Sequence, residues 1–150
     1  MPSILNPSLS ITGQPASTPL PGDVTLHVTF TIALSPIERF LVDNGLTFTE
    51  DVRIIGDDAG VATDAVIHAF PQEVFAPPPG VTEVARSRQL VVGRAALNED
   101  PSVLRALWLG NRQITYSVPD ADEILARVDL APVGLDLTTG AEATASIFVV

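Results

Sequence analysis

Asp23-Val-Thr-Leu-His-Val-Thr-Phe-Thr-Ile-Ala-Leu34 is the stretch that decides the fold. Apolar side chains occupy every second position from Val24 to Leu34, and mostly threonines lie between them. Because side chains alternate between the two faces of a strand, the pattern predicts a β-strand with one face in a hydrophobic core. The other face is free for water or a partner, an arrangement that is common in antiparallel sheets.

Seven further segments carry strand patterns, and prolines and glycines fall mainly between them, as expected for short strands. The predicted strands are Ser8–Gly13, Asp23–Leu34, Leu46–Ile55, Ala62–Phe70, Thr82–Leu97, Arg112–Val118, Glu123–Leu130 and Glu142–Val150. In the third strand Glu50 falls on the apolar face, which predicts a bulge or a rim position. The Pro-rich segment 1–22 is expected to pack on the domain or to extend from it, and Pro71–Gly80 to form a loop or to cover an edge.

Two short helices are expected at the ends of the sheets. Ser35-Pro36-Ile37-Glu38 fits a capping box with Ser35 as the N-cap, and Asn44-Gly45 supplies a stop signal. Asp100-Pro101 repeats the start signal, and a second helix is predicted to end at Gly110. Its apolar residues at helical spacing are Val103, Leu104, Leu107 and Trp108. The same spacing predicts that Trp108 packs in the core.

Many short strands without alternating long helices predict an all-β fold. We expect one antiparallel β-sandwich domain over residues 1–150, with about eight strands and two short helices. The run Asp120–Val128 resembles the acidic turn that leads into a late core strand of immunoglobulin-like domains. This resemblance covers about ten residues, lacks the cysteine pair of those domains and has Tyr116 before the acidic turn instead of after it. It implies an immunoglobulin-like or fibronectin-like topology.

Charge and composition exclude several classes of protein. The chain has 8 basic residues, all of them Arg, against 18 Asp and Glu, and its net charge is −10. This balance repels phosphate backbones, so we expect no nucleic acid partner. Neither a signal peptide nor an apolar run of roughly 18 residues is visible, so we expect no membrane span and a cytoplasmic protein, unless a specialised route exports it. A chain with no cysteine forms no disulfide.

Motifs for catalysis are not visible. The two histidines, His27 and His68, fall in different predicted strands, and neither accompanies the nucleophile motif of a hydrolase. We therefore expect a protein that is not an enzyme and that needs no cofactor.

Acidic residues in turns leave an alternative, which is a small calcium-dependent module that recognises carbohydrate or another ligand. Calcium takes several oxygen ligands, often from loop carboxylates. The candidates are Asp57, Asp58, Asp120, Asp122 and Glu123. Ordinary turn chemistry, in which Asp accepts local backbone hydrogen bonds, explains the same residues without a metal.

Protein contacts are the function that the composition favours. Apolar residues make up 46% of the chain and must enter either a full core or an interface. The chain ends on Ile147, Phe148, Val149 and Val150, so both faces of the last strand are apolar. An uncovered strand of this kind invites edge pairing.

We therefore expect a structural or interaction protein that binds itself or joins a larger protein assembly. The polar face at Thr25, His27 and Thr29 is the second candidate interface. Alternatively, Pro2–Leu9 and a short helix cover both faces of the last strand within the monomer. The sequence leaves these two possibilities open.

Deletion of Ile147–Val150 is expected to lower the Tm or to break an assembly, because it removes apolar side chains that need cover on both faces. Thermal unfolding and solution mass of the full and shortened chains test this expectation. An unchanged Tm together with an unchanged mass would contradict it.

Overall fold

The computed structural model describes residues 1–13, 22–56, 66–97, 103–118, 121–134 and 138–148. These ranges hold ten β-strands, one α-helix and a short 3₁₀ helix at Arg94–Leu97. The strands are β1 Ser3–Thr12, β2 Asp23–Ala33, β3 Phe48–Gly56, β4 Val66–Ala69, β5 Glu73–Phe75, β6 Glu83–Gly93, β7 Val103–Leu109, β8 Arg112–Val118, β9 Ala121–Pro132 and β10 Thr139–Phe148. The α-helix, α1, spans Pro36–Asp43.

Antiparallel pairing organises the strands into two sheets and a separate hairpin. The first sheet has the order β1-β2-β6, and the second has the order β10-β9-β3-β4, with β5 also paired to β3. Within the described ranges, β7 and β8 pair only with each other. Strand β1 lies beside β10, the outer strand of the second sheet, although no ladder joins the two. The prediction of an all-β antiparallel fold is confirmed.

One hydrophobic core takes side chains from both sheets. The alternate residues of β2 from Val24 to Ile32 are buried, as their two-residue period predicts. They belong to one cluster with Phe48 and Val52 of β3 and with Val128 of β9. Between them, Thr25 and the other residues of the second set point outward and are half-buried or exposed.

Glu50 lies on the inward face of β3 and is fully buried. The pairing of β3 with β9 runs without a break from Phe48 to Gly56, so the bulge or rim position predicted at Glu50 is wrong. Two arginines of β6 offset the cost of burying the Glu50 carboxylate. Arg86 Nε donates to Glu50 Oε2 at 2.7 Å, and Arg88 Nη1 donates to Glu50 Oε1 at 2.9 Å. A buried carboxylate is tolerated only when charged hydrogen-bond donors replace its lost hydration.

This charged cluster ties the first sheet to the second. Arg86 Nη2 also donates to Glu73 Oε2 of β5 at 3.0 Å, and its guanidinium lies 4.5 Å from the centroid of the Phe75 ring. The hydrogen bond from Arg86 to Glu50, reinforced by the charges of Glu50 and Glu73, raises the pKa of Arg86. Because β6 is an outer strand of the first sheet and β3 and β5 belong to the second, the cluster holds the two sheets together at this side.

Helix α1 begins as predicted. Ser35 Oγ accepts a hydrogen bond from the Glu38 backbone N–H at 3.3 Å, and Glu38 Oε2 accepts from the Ser35 N–H at 2.7 Å, which completes the capping box. Asn44 ends the helix by donating its N–H to carbonyls of the last turn. Among the residues that the structure describes, no helix is long and apolar enough to cross a membrane.

The second predicted helix is wrong, because Val103–Leu109 forms strand β7. The loop Gly110-Asn111 explains the difference. Gly110 has φ +63° and Asn111 does not have a positive φ, as in a type II′ turn, which connects two adjacent antiparallel strands. The start signal at Asp100-Pro101 lies outside the described ranges.

The described ranges hold ten strands instead of about eight. Besides β7, the short strand Glu73–Phe75 was not predicted, and it pairs with β3 inside the segment expected to form a loop or cover an edge. Strand β1 begins at Ser3 instead of Ser8, so much of the N-terminal segment belongs to the first sheet.

Glu50→Gln is expected to lower the free energy of unfolding by about 3 kcal/mol, because it leaves two arginine side chains without their buried counter-charge. Equilibrium unfolding in urea measures this. Glu73→Gln is the matched control, since its side chain is 49% exposed and its loss should cost about 1 kcal/mol or less. Equal effects of the two substitutions would contradict the role assigned to Glu50.

Candidate functional site

The hairpin β7–β8 carries a long run of exposed residues in the part of the chain that the structure describes. Its register runs from Val103 opposite Val118 to Leu109 opposite Arg112. Every residue from 105 to 116 is exposed. A two-stranded hairpin by itself is only marginally stable in water. The exposed hairpin is therefore the candidate site.

One face of the hairpin is apolar. Because opposite residues of an antiparallel ladder share a face, Leu107 and Ile114 lie on the same side, and so do Tyr116 and Leu109. Each of these four side chains is about half exposed. We call Leu107, Leu109, Ile114 and Tyr116 the hairpin apolar face. Exposed apolar patches of this kind mark sites of protein contact.

Trp108 lies on the opposite face of the hairpin, across from Gln113, and is 65% exposed. The prediction that Trp108 packs in the core is wrong, because β7 is a strand outside both sheets. The single Trp and the single Tyr of the chain both lie in the hairpin. Trp, Tyr and Arg are the residues that most often dominate binding energy at protein interfaces.

The charge of the hairpin is opposite to that of the remaining chain. Residues 103–118 contain Arg105 and Arg112 and no acidic residue, whereas the whole chain has a net charge of −10. The two arginines lie on the side of the hairpin that carries the apolar face, at positions opposite Tyr116 and Leu109. An acidic partner surface would therefore attract this face.

The predicted polar interface on β2 is in the centre of the first sheet. His27 lies between Ser10 of β1 and Gln89 of β6, and Thr25 and Thr29 share its outward face. The face is polar, as the alternation predicts, and its role as an interface stays a prediction.

The last strand is only partly described. Ile147 and Phe148 pair with Asp122 and Ala121 in the ladder between β10 and β9, whereas their side chains and the residues Val149 and Val150 lie outside the described part. The N-terminal strand β1 lies beside β10. The proposed interface at Ile147–Val150 stays a prediction.

The residues predicted for calcium are also largely undescribed. Asp57, Asp58 and Asp120 lie outside the described ranges, and Asp122 and Glu123 belong to β9 without described side chains. Within the described ranges, no group of three or more His, Asp or Glu residues could hold a metal ion. The calcium alternative stays a prediction.

The two histidines lie in different sheets. His27 belongs to β2 of the first sheet and His68 to β4 of the second, where its ring stands edge-on to Phe70 at 5.6 Å. They do not form a pair, and the neighbour that His68 contacts is an aromatic ring. The hairpin is consequently the stronger candidate site.

Comparison with known proteins gave no match. No protein-family model, no curated protein and no solved structure matches the chain. Function is therefore inferred from the residues of this chain alone.

Trp108 is expected to emit, in a dilute solution of the folded protein, close to the wavelength of free tryptophan in water, because its indole is largely exposed. Acrylamide should quench it efficiently, and complete unfolding in guanidinium should shift the emission only slightly. As the chain has 1 Trp, the signal has no other source. A blue-shifted emission that moves strongly to the red on unfolding would contradict the exposed hairpin.

Proposed function

We propose that this chain is a non-enzymatic structural or interaction protein that binds copies of itself through the hairpin β7–β8. The observation that carries the proposal is the hairpin apolar face, which is exposed on a hairpin that pairs with no other strand in the described ranges. Covering this face removes apolar surface from water and stabilises a structure that is marginal alone. The outer edges of β7 and β8, which pair with no other described strand, add backbone groups that a partner strand can bond.

Charge favours a second copy of this chain as the partner. Copies with a net charge of −10 repel each other at long range. The hairpin, with Arg105 and Arg112 and no acid, is a region where one copy attracts the acidic remainder of another. Contact between two hairpins would instead bring arginines against arginines. The charges therefore favour a hairpin that docks on a different surface of the second copy.

We further propose that the two sheets form an immunoglobulin-like β-sandwich. The orders β1-β2-β6 and β10-β9-β3-β4 correspond to strands A-B-E and G-F-C-C′ of that topology. The core shared by both sheets supports the same assignment. In this scheme β7–β8 is an insertion between strands E and F, the kind of connecting segment that often carries the contacts of a domain.

The double variant Leu107→Thr with Ile114→Thr is expected to stay at the monomer mass of 15.8 kDa at concentrations where the unmodified chain associates. Threonine keeps β-propensity, so the hairpin can persist while its face becomes polar. Sedimentation equilibrium over a range of concentrations measures the mass.

The matched control is Ala106→Thr with Gln113→Thr, which changes the opposite face of the same hairpin. This control should associate like the unmodified chain. An unmodified chain that is monomeric at every concentration, or a Leu107/Ile114 variant that associates as before, would overturn the proposed function.

A further inference from the structure

Helix α1 buries two charged residues together with Val42, and it exposes three other apolar residues. Glu38 and Arg39 are buried, whereas Ile37 is 74% and Phe40 66% exposed, and Leu41 is also exposed. Residues three and four positions apart share a face of a helix, so these three apolar side chains form one patch. A surface helix normally turns this stripe to the core. We call Ile37, Phe40 and Leu41 the α1 patch.

Directional polar contacts fix the rotation of α1. Arg39 Nη1 donates to the carbonyl oxygens of Pro78 at 2.8 Å and Val81 at 2.6 Å, and its guanidinium pairs with Asp43. Glu38 completes the capping box and pairs with the Met1 amino group at 2.7 Å. With both charged side chains held inward, the α1 patch cannot turn toward the core.

The α1 patch and the hairpin lie at opposite ends of the sheets. Helix α1 follows Ala33, the last residue of β2. The hairpin follows β6, whose last residue Gly93 pairs with Asp23, the first residue of β2. Strand β2 has 11 residues, so its ends are about 33 Å apart at the usual rise per residue.

The charges near the two surfaces are complementary. Exposed Glu83 lies opposite Ala33 at the α1 end of the sheet, and the exposed Asp43 in the last turn of α1 already pairs with Arg39. Arg39, which shares this end, is buried. The hairpin presents Arg105 and Arg112 beside its apolar face. Apolar surface and opposite charge therefore match between the two ends of one chain.

We propose that the hairpin apolar face of one copy docks on the α1 patch of the next, so that copies associate head to tail. This inference rests on the proposed self-association and names the surface that receives the hairpin. Because the two surfaces differ and lie at opposite ends, each copy that docks leaves one of its own two surfaces free for a further copy. Contacts of this kind produce a ring when the rotation between successive copies closes the circle, and an open filament when it does not.

The test uses two variants, each with one surface disabled. The hairpin variant carries Leu107→Thr and Ile114→Thr. The helix variant carries Ile37→Gln and Phe40→Gln, and Gln preserves helix propensity at these exposed positions. We expect each variant alone to be monomeric by light scattering. An equimolar mixture should double in mass and go no further, since each mixed pair holds one intact contact.

A third variant, Val91→Thr, controls for the loss of any exposed apolar side chain. Val91 is 60% exposed on the outward face of β6 and belongs to neither surface, so its substitution should leave association unchanged. Thermal unfolding of every variant verifies that the fold persists.

The outcomes separate this inference from the proposed function. A helix variant that associates as the unmodified chain does, beside a monomeric hairpin variant, overturns the head-to-tail contact and leaves self-association through the hairpin standing. Folded variants that are monomeric alone and remain monomeric when mixed also overturn the head-to-tail contact. If both variants associate normally, the hairpin has no role and both proposals fail.

Discussion

One hydrophobic core, shared by the two sheets, determines which apolar residues of the described ranges are buried. Alternate side chains of β2, β3 and β9 fill it, from Leu26 on the first sheet to Phe48 and Val128 on the second. Helix α1 and the hairpin β7–β8 connect strands at opposite ends of this core, and their exposed apolar side chains lie beyond it. The hydrophobic effect, which folds the body, thus leaves two apolar surfaces in water. Under the proposed self-association, contact between copies covers both surfaces.

The orientation of α1 about its axis and the contact between the two sheets at β6 both depend on buried charged side chains. Glu50 is accepted inside the core because Arg86 and Arg88 reach it from β6, and this pairing joins the sheets at one side. Arg39 turns α1 so that Ile37 and Phe40 face water. Buried charged groups therefore determine which apolar side chains of α1 face water.

Local patterns were sufficient for part of this fold. The alternation in β2 and the capping box at Ser35 depend on neighbouring residues, and both were predicted correctly. Strand β7 was not predicted correctly, because the spacing of its apolar residues fits a helix and a strand equally well. The two-residue loop Gly110-Asn111 between β-rich runs was the available signal for a hairpin. Alternation placed Glu50 on the apolar face, but the partner that permits its burial could not be predicted, since Arg86 is 36 positions away in sequence.

Backbone hydrogen exchange of the full chain, followed by mass spectrometry at low and at high protein concentration, tests the central claim most directly. We expect exchange in residues 103–118 and in α1 to slow as the concentration rises, because docking protects both surfaces. Exchange in the core strand β2 should not change. Equal exchange of the hairpin at the two concentrations would contradict association through β7–β8.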